Sequence, residues 1–396
     1  MRLSRRRFAI LLVSAAPLLL FATAASQQKR TPNKPYLVYV GTYTHKTESK
    51  GIYAYRFDPG VGKLTPFGVA AESEDPSFLV VHPSGRYLYA VNEIDHFGGQ
   101  KSGAVSAFSI DPKTGKLTML NQAATQGAGP CHISLDKTGK FALAANYDGG
   151  SIVVFPIRAG GSLAPASAFI QHSGSSVNKE RQEGPHAHWI GTSPDNRLAL
   201  AADLGLDEIL VYRFNAAKGA LTPNTPPFAK LNPGAGPRHL VFHPNGKFAY
   251  VLTEMGSSVT AFAYTASNGS LSLLQTVSTL SILRKDYAGP KEAAEIAVSP
   301  SGKFLYASNR AGIDTISAFS VDTAKGTLKL KDEYPTMGKT PRNFAIDPTG
   351  KFLLAANQES NNIVIFRIDS TTGALTPTGE IVEVPAPVCI TFVAVR

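Results

Sequence analysis

One turn is written six times into this chain, and that repetition restricts its fold more than any other feature. The copies are His82-Pro83-Ser84-Gly85-Arg86-Tyr87, Asp136-Lys137-Thr138-Gly139-Lys140-Phe141, Ser193-Pro194-Asp195-Asn196-Arg197-Leu198, His243-Pro244-Asn245-Gly246-Lys247-Phe248, Ser299-Pro300-Ser301-Gly302-Lys303-Phe304 and Asp347-Pro348-Thr349-Gly350-Lys351-Phe352, spaced 48–57 residues apart. A second motif, Gly-x-Leu followed mostly by Thr or Ser, interleaves with it seven times, at Gly62, Gly115, Gly161, Gly219, Gly269, Gly326 and Gly373. Both are turn chemistry: proline presets φ, Asp or Asn bonds back to the chain, and glycine accepts a positive φ.

Between the turns lie short alternating segments such as Gly103–Ile110 and Asn362–Ile368, whose period-2 patterning of β-branched and aromatic residues means strands. Convincing helix patterning is absent. About four strands in each unit of roughly 50 residues is the signature of a propeller blade. One blade cannot bury both its faces, so neighbours stack until a ring closes. Seven Gly-x-Leu motifs against six long turns are reconciled by the chain ends. Tyr36–Gly41 matches the second strand Tyr87–Asn92, and Pro387–Ile390 matches the first strand Pro130–Ile133. The expected fold is all-β: a seven-bladed propeller of four-stranded antiparallel blades, its first blade made of one C-terminal and three N-terminal strands. That closure removes open edges.

Residues 1–26 carry a basic start, an apolar stretch and Ala22-Thr23-Ala24, the parts of a cleaved signal peptide. Ser4-Arg5-Arg6-Arg7-Phe8 resembles the twin-arginine export motif. The expected organisation is a signal peptide at 1–26, a linker at 27–35 and the propeller at 36–396, in an exported, periplasmic protein. No later segment is apolar enough to cross a bilayer, so stable membrane insertion after leader cleavage is not expected. The net charge of +10 includes four leader arginines, and no dense Lys/Arg run is interleaved with aromatics. Nucleic acid is therefore not an expected partner. Two cysteines, Cys131 and Cys389, exclude a disulfide framework and are expected as buried free thiols on innermost strands.

With strands counted from the axis outward, both repeated turns fall on one face of the ring. The opposite face receives the start of each first strand and each second-to-third loop, and function is expected there. First-strand starts include Pro130-Cys131-His132, Gly184-Pro185-His186-Ala187-His188, Gly236-Pro237-Arg238-His239, Glu292-Ala293-Ala294-Glu295 and Pro341-Arg342-Asn343. The loops add Asn146-Tyr147-Asp148, Asp203, Thr253-Glu254, Asn309-Arg310 and Asn357-Gln358. First strands line the axis, so these groups are expected to converge on one mouth. His132, His186, His239, Arg342 and Asn357 are expected to contact substrate. Arg238 has a second reading, as a structural ion-pair partner of Glu254. His82 and His243 fall in scaffold turns on the other face.

The repeated Pro-x-Gly-Lys-Phe and Gly-x-Leu-Thr turns, Gly-Pro-His-Ala-His, Gly-Pro-Arg-His and Ser-Asn-Arg together resemble the seven-bladed β-propeller lactonase family. That family includes the propeller-type bacterial 6-phosphogluconolactonases and the fungal carboxy-cis,cis-muconate lactonizing enzyme. The resemblance covers about 36–396. The site proposed for the fungal member, one His, two Arg and one Glu, implies Arg238 and Glu254 here. It also implies His188, with His186 as rival, and Arg310 as the second arginine.

The resemblance implies a 6-phosphogluconolactonase-type hydrolase that opens a small anionic sugar lactone. His188 or Glu254 would be the general base, and Arg238 and Arg310 would bind the anion and the oxyanion. No cofactor and no metal is required on this reading. Two others stand beside it: a carboxymuconate cycloisomerase or lyase using the same groups, and a non-catalytic binding propeller of the cell envelope. No Gly-x-Ser-x-Gly nucleophile elbow is present.

Overall fold

A computed structural model describes residues 34–281, 287 and 289–394. The expected signal peptide and residues 27–33 of the expected linker lie outside the described residues. Seven four-stranded sheets, each paired antiparallel throughout, form the blades, and the described residues contain no helix. Blade 1 runs from the axis outward as Pro387–Ala394, Tyr36–Thr42, Gly51–Asp58 and Lys63–Glu72. The chain ends thus share one sheet, with Tyr36 opposite Ala394 and Thr42 opposite Pro387. The closure is the one expected from the sequence. Blades 2 to 7 follow in chain order, their innermost strands being Leu79–Val81, Pro130–Leu135, Ala187–Thr192, Pro237–Phe242, Glu292–Val298 and Pro341–Ile346.

Burial explains the residue pattern within a blade. Second strands such as Phe141–Asn146 and Leu198–Asp203 are buried along their whole length, and their near-continuous apolar run follows from having a neighbouring blade on each face. Outermost strands such as Lys63–Glu72 are mostly exposed. Instead of one central core, seven apolar clusters occupy the seven seams. The closing seam is built like the others, with Val38, Val40 and Phe57 of blade 1 against Phe352, Leu354 and Ile363 of blade 7.

The two repeated motifs interlock across these seams, which is why both recur. Gly373 of blade 7 has φ +78°, and a Cβ there would lie 2.4 Å from the ring of Phe304, the aromatic that ends the long turn of blade 6. Gly62 faces Phe352, Gly219 faces Phe141 and Gly326 faces Phe248 in the same way. Both turn types therefore share one face of the ring. His82 Nε2 lies 3.0 Å from the carbonyl oxygen of Gly139, and His243 Nε2 lies 2.9 Å from that of Gly302. Each histidine ties one scaffold turn to the next.

Candidate active site

On the opposite face, two rules of position build the axial mouth. The first is a β-bulge near the start of the innermost strands. Register slips between Pro130 and His132, Ala187 and Trp189, Pro237 and His239, and Pro341 and Asn343. The residues left without a ladder partner are Cys131, His188, Arg238 and Arg342. A bulge re-aims its extra side chain out of the pleat, and here all four reach the axis. The second rule concerns second strands, which end on a buried polar residue: Asn92, Asn146, Thr253 or Asn309. The residue that follows each of these faces the axis: Glu93, Tyr147, Glu254 and Arg310.

Cys131, His188, Arg342, Glu93, Tyr147, Glu254 and Arg310, with Arg181 and Glu292, line a pocket of about 260 Å³. A small void beneath it is lined by Ser77, Phe78, Arg238, His239, Asn343 and Val388, among others. A larger open groove of about 810 Å³ lies at the seam of blades 7 and 1, but no axial residue lines it.

Glu254 is the hub. Its Oε1 lies 2.6 Å from Arg181 Nη2, and its Oε2 lies 2.9 Å from both Arg238 Nε and Arg310 Nη2. Burial alone would raise its pKa, but the Arg310 and Arg238 guanidiniums and the hydrogen bond from Arg181 more than offset burial and hold it at about 2. Both oxygens are engaged and the side chain is 2% exposed. Glu254 is thus ionised at neutral pH and gathers three guanidiniums on its two oxygens.

Arg238 is buried with it and donates from Nη1 to the carbonyl oxygen of Ala294. Burial, then Arg342 and Arg310, lower its pKa to about 10, so it stays charged at neutral pH. His188 is held well below the usual imidazole range by burial, then by Arg238, His239 and Arg342, and is neutral. Its Nδ1 lies 3.6 Å from Cys131 Sγ. Burial likewise pushes the Cys131 thiol up, and both cysteines are buried and free. Among the described residues no group of three or more His, Cys, Asp or Glu is arranged to hold a metal.

His188, Glu254, Arg310 and Arg342 are brought together in the pocket wall, and Arg238 lies directly below. The other expected residues have different places. His186 stands outside the lining, stacked on Tyr147 with Nε2 3.2 Å from Glu183. His132 lies deeper, among Phe78, Trp189 and His239, where its Nδ1 accepts from the Ile190 N–H. His239 lines the lower void, its Nδ1 3.0 Å from Glu295 Oε1. Asn357 is fully buried and donates to the Thr336 carbonyl and to Asn362 Oδ1. It occupies the buried polar position that ends its second strand, and the next residue, Gln358, lines the groove between blades 7 and 1 instead of the axial pocket.

Two lining residues, Arg181 and Glu93, fall outside the sequence expectation. Arg181 sits in the irregular loop 172–186, between the outermost strand of blade 3 and the innermost strand of blade 4. Asp203 clamps both ends of that loop, lying 2.7 Å from His172 Nδ1 and accepting the His186 N–H at 2.8 Å. Gln182 donates to the Leu204 carbonyl, and Asn178 Oδ1 accepts the Glu180 and Arg181 N–H groups. This frame delivers Arg181 Nη2 to Glu254 and, at 3.1 Å, to the Tyr147 hydroxyl. Glu93 was legible: aligning Asn92 with Thr253 places it at the position of Glu254.

Comparison with known proteins agrees with this architecture. A family model described as Lactonase, 7-bladed beta-propeller, matches residues 37–392. The 6-phosphogluconolactonase of Bacillus subtilis (strain 168) is 38% identical over 358 residues, covering 90% of this chain and 98% of its own. That of Formosa agariphila is 39% identical over 340 residues, covering 85% and 94%. Among solved structures, the periplasmic gluconolactonase of Pseudomonas aeruginosa matches with a TM-score of 0.85 at 37% identity, over 91% of this chain and 100% of that one.

Proposed function

The chain belongs to the seven-bladed β-propeller lactonase family and is a lactone hydrolase, and from the axial pocket we propose that it opens a six-carbon sugar lactone of the 6-phosphogluconolactone type. The observation that carries this reading is the guanidinium cluster on Glu254. At about 260 Å³ the pocket is near the small end of ligand sites, fitting one sugar ring. Four guanidiniums (Arg181, Arg238, Arg310, Arg342) stand in and under it against three carboxylates (Glu93, Glu254, Glu292), a balance that favours an anionic substrate.

Lactone hydrolysis builds negative charge on the carbonyl oxygen. Arg310 and Arg181 hold fixed N–H donors toward the pocket, and Glu254 keeps them oriented before the charge develops. Arg238 lies below as a buried charge that fixes Glu254. His188 presents a neutral imidazole to the ring hydroxyls. The leader-like residues 1–26 and the periplasmic relative support an exported protein acting on lactones outside the cytoplasm; cell fractionation of wild type against the R5K/R6K variant tests that part.

The activity is tested by following 6-phosphogluconolactone and δ-gluconolactone against their spontaneous opening, with wild type and Arg310→Ala. Wild type is expected to exceed the blank and the variant to lose most of the gain. Wild type indistinguishable from buffer on both lactones would sink the reading in favour of a binding propeller.

A further inference from the structure

Ring opening by water needs a group that removes the water's proton, and the two residues expected for that task are poorly placed. Both oxygens of Glu254 are occupied by guanidiniums. His188 would become an imidazolium beside Arg238 and Arg342, whose charges oppose it.

Glu93 has the complementary arrangement. It lines both the pocket and the void beneath. Its Oε2 is fixed by the hydroxyls of Tyr43, at 2.9 Å, and Ser77. Among the described residues no hydrogen bond reaches Oε1, whose nearest cation, Arg342 Nη2, is 3.8 Å away, and the side chain is 19% exposed. One oxygen is anchored and the other is left for a water. Glu93 comes from blade 2 and Glu254 from blade 5, three apart in a ring of seven, so the two face each other across the axis.

We propose that Glu93 is the general base of the lactone opening. This rests on the lactonase reading of the same pocket. A water between Glu93 Oε1 and the lactone carbonyl carbon loses a proton to Glu93 as its oxygen bonds to that carbon. The carbonyl π pair moves onto the oxygen facing Arg310 and Arg181. Collapse of the tetrahedral intermediate breaks the bond from the carbonyl carbon to the ring oxygen. That oxygen takes the proton back from Glu93, leaving a hydroxy acid and a carboxylate ready for the next water.

The surroundings suit the task. Burial raises the pKa of Glu93, Asp148 adds to the rise, and Arg342 with the Tyr43 and Ser77 hydrogen bonds restrains it. The Cys131 thiol, itself pushed up by burial and then by Glu93, shares the wall with His188, Tyr147 and Glu292 as further titratable groups. One carboxyl held high and another held low, in one pocket, is the arrangement that separates acid–base work from charge stabilisation.

The test is steady-state hydrolysis of δ-gluconolactone and 6-phosphogluconolactone between pH 5 and 8, corrected for spontaneous opening, for wild type and Glu93→Gln. Wild-type kcat should fall on the acid side through a pKa above the ordinary carboxylate range. Glu93→Gln should lower kcat about 10²–10⁴-fold with KM little changed, and that limb should vanish. Should Glu93→Gln not fold, wild type alone decides, because kcat flat across this range excludes a raised carboxyl as base. An active wild type whose Glu93→Gln variant keeps kcat within about threefold overturns the assignment but leaves the lactonase standing, since general-base help is worth far more. A wild type no faster than buffer overturns both.

Discussion

Arg238 and Glu254, 16 residues apart in the chain, meet at 2.9 Å between side chains that are 3% and 2% exposed. A pair so placed stabilises little by itself, because desolvation offsets its attraction, but it is costly to break from one side. Glu254→Gln leaves the Arg238 guanidinium buried without a counter-charge. The expected loss is about 3–5 kcal/mol, read from urea unfolding. A variant as stable as wild type would show that water or a rearranged carbonyl already serves Arg238.

The same pair sets an acid dependence. Glu254 has a folded pKa of about 2 against an ordinary 4.5. A lowered pKa means the unfolded chain binds the proton more readily. The stabilisation is complete above the ordinary value and fades as pH falls toward 2. Urea midpoints of wild type and Glu254→Gln should therefore converge through that window and differ most at neutral pH.

Arg181 differs from Arg238 in being 36% exposed at the pocket rim. Its removal should cost binding more than folding. Arg181→Ala is expected to raise KM for an anionic lactone about 10–100-fold, the worth of one charge-assisted hydrogen bond, with the unfolding midpoint nearly unchanged. Lysine should restore part of the loss, since the bonds to Glu254 and Tyr147 both leave from the single nitrogen Nη2. Unaltered KM in both variants would remove Arg181 from the binding surface.

On the other face, His243 touches only scaffold. His243→Ala removes its contact with the Gly302 carbonyl across a seam. Stability should drop by about 1–3 kcal/mol while kcat/KM stays at the wild-type value. A changed kcat/KM would mean that the two faces communicate.

Gly373→Ala tests the interlock between the repeats. The added methyl would meet the Phe304 ring at 2.4 Å in a backbone of φ +78°. Overpacking and backbone strain together should destabilise by about 1–3 kcal/mol. Phe304→Leu placed in the same chain should recover part of the loss, and no recovery would assign the whole effect to backbone strain.

The ring was legible because its turns are local chemistry repeated at a fixed period, and the closure because two half-motifs were left over at the ends. The site was legible only as far as it obeys the same period. Arg238, His188 and Arg342 are bulge residues at equivalent places, and Arg310 and Glu254 each follow a terminal polar residue. Asn357 misled because the residue before the axial one is also polar in nearly every blade, there to satisfy backbone. His132 misled because its direction depends on one residue of register. Arg181 lay beyond reach, since its loop follows neither repeated turn from which a direction could be inferred. The charge environment of Glu254 was hidden for another reason: how many guanidiniums surround a carboxylate is a fact of two blades and a loop, not of any one segment.

Closure within one sheet has a mechanical consequence. Tyr36 begins its strand and Ala394 stands near the end of its partner, and they face each other at the same edge of the blade. A force drawing the two termini apart would not load the seven residue pairs together. It would open them like a zipper, one rung after another from Tyr36 toward Thr42. A ring whose seams are otherwise alike therefore has a preferred place to tear, and stretching a single molecule by its ends should release blade 1 before any other.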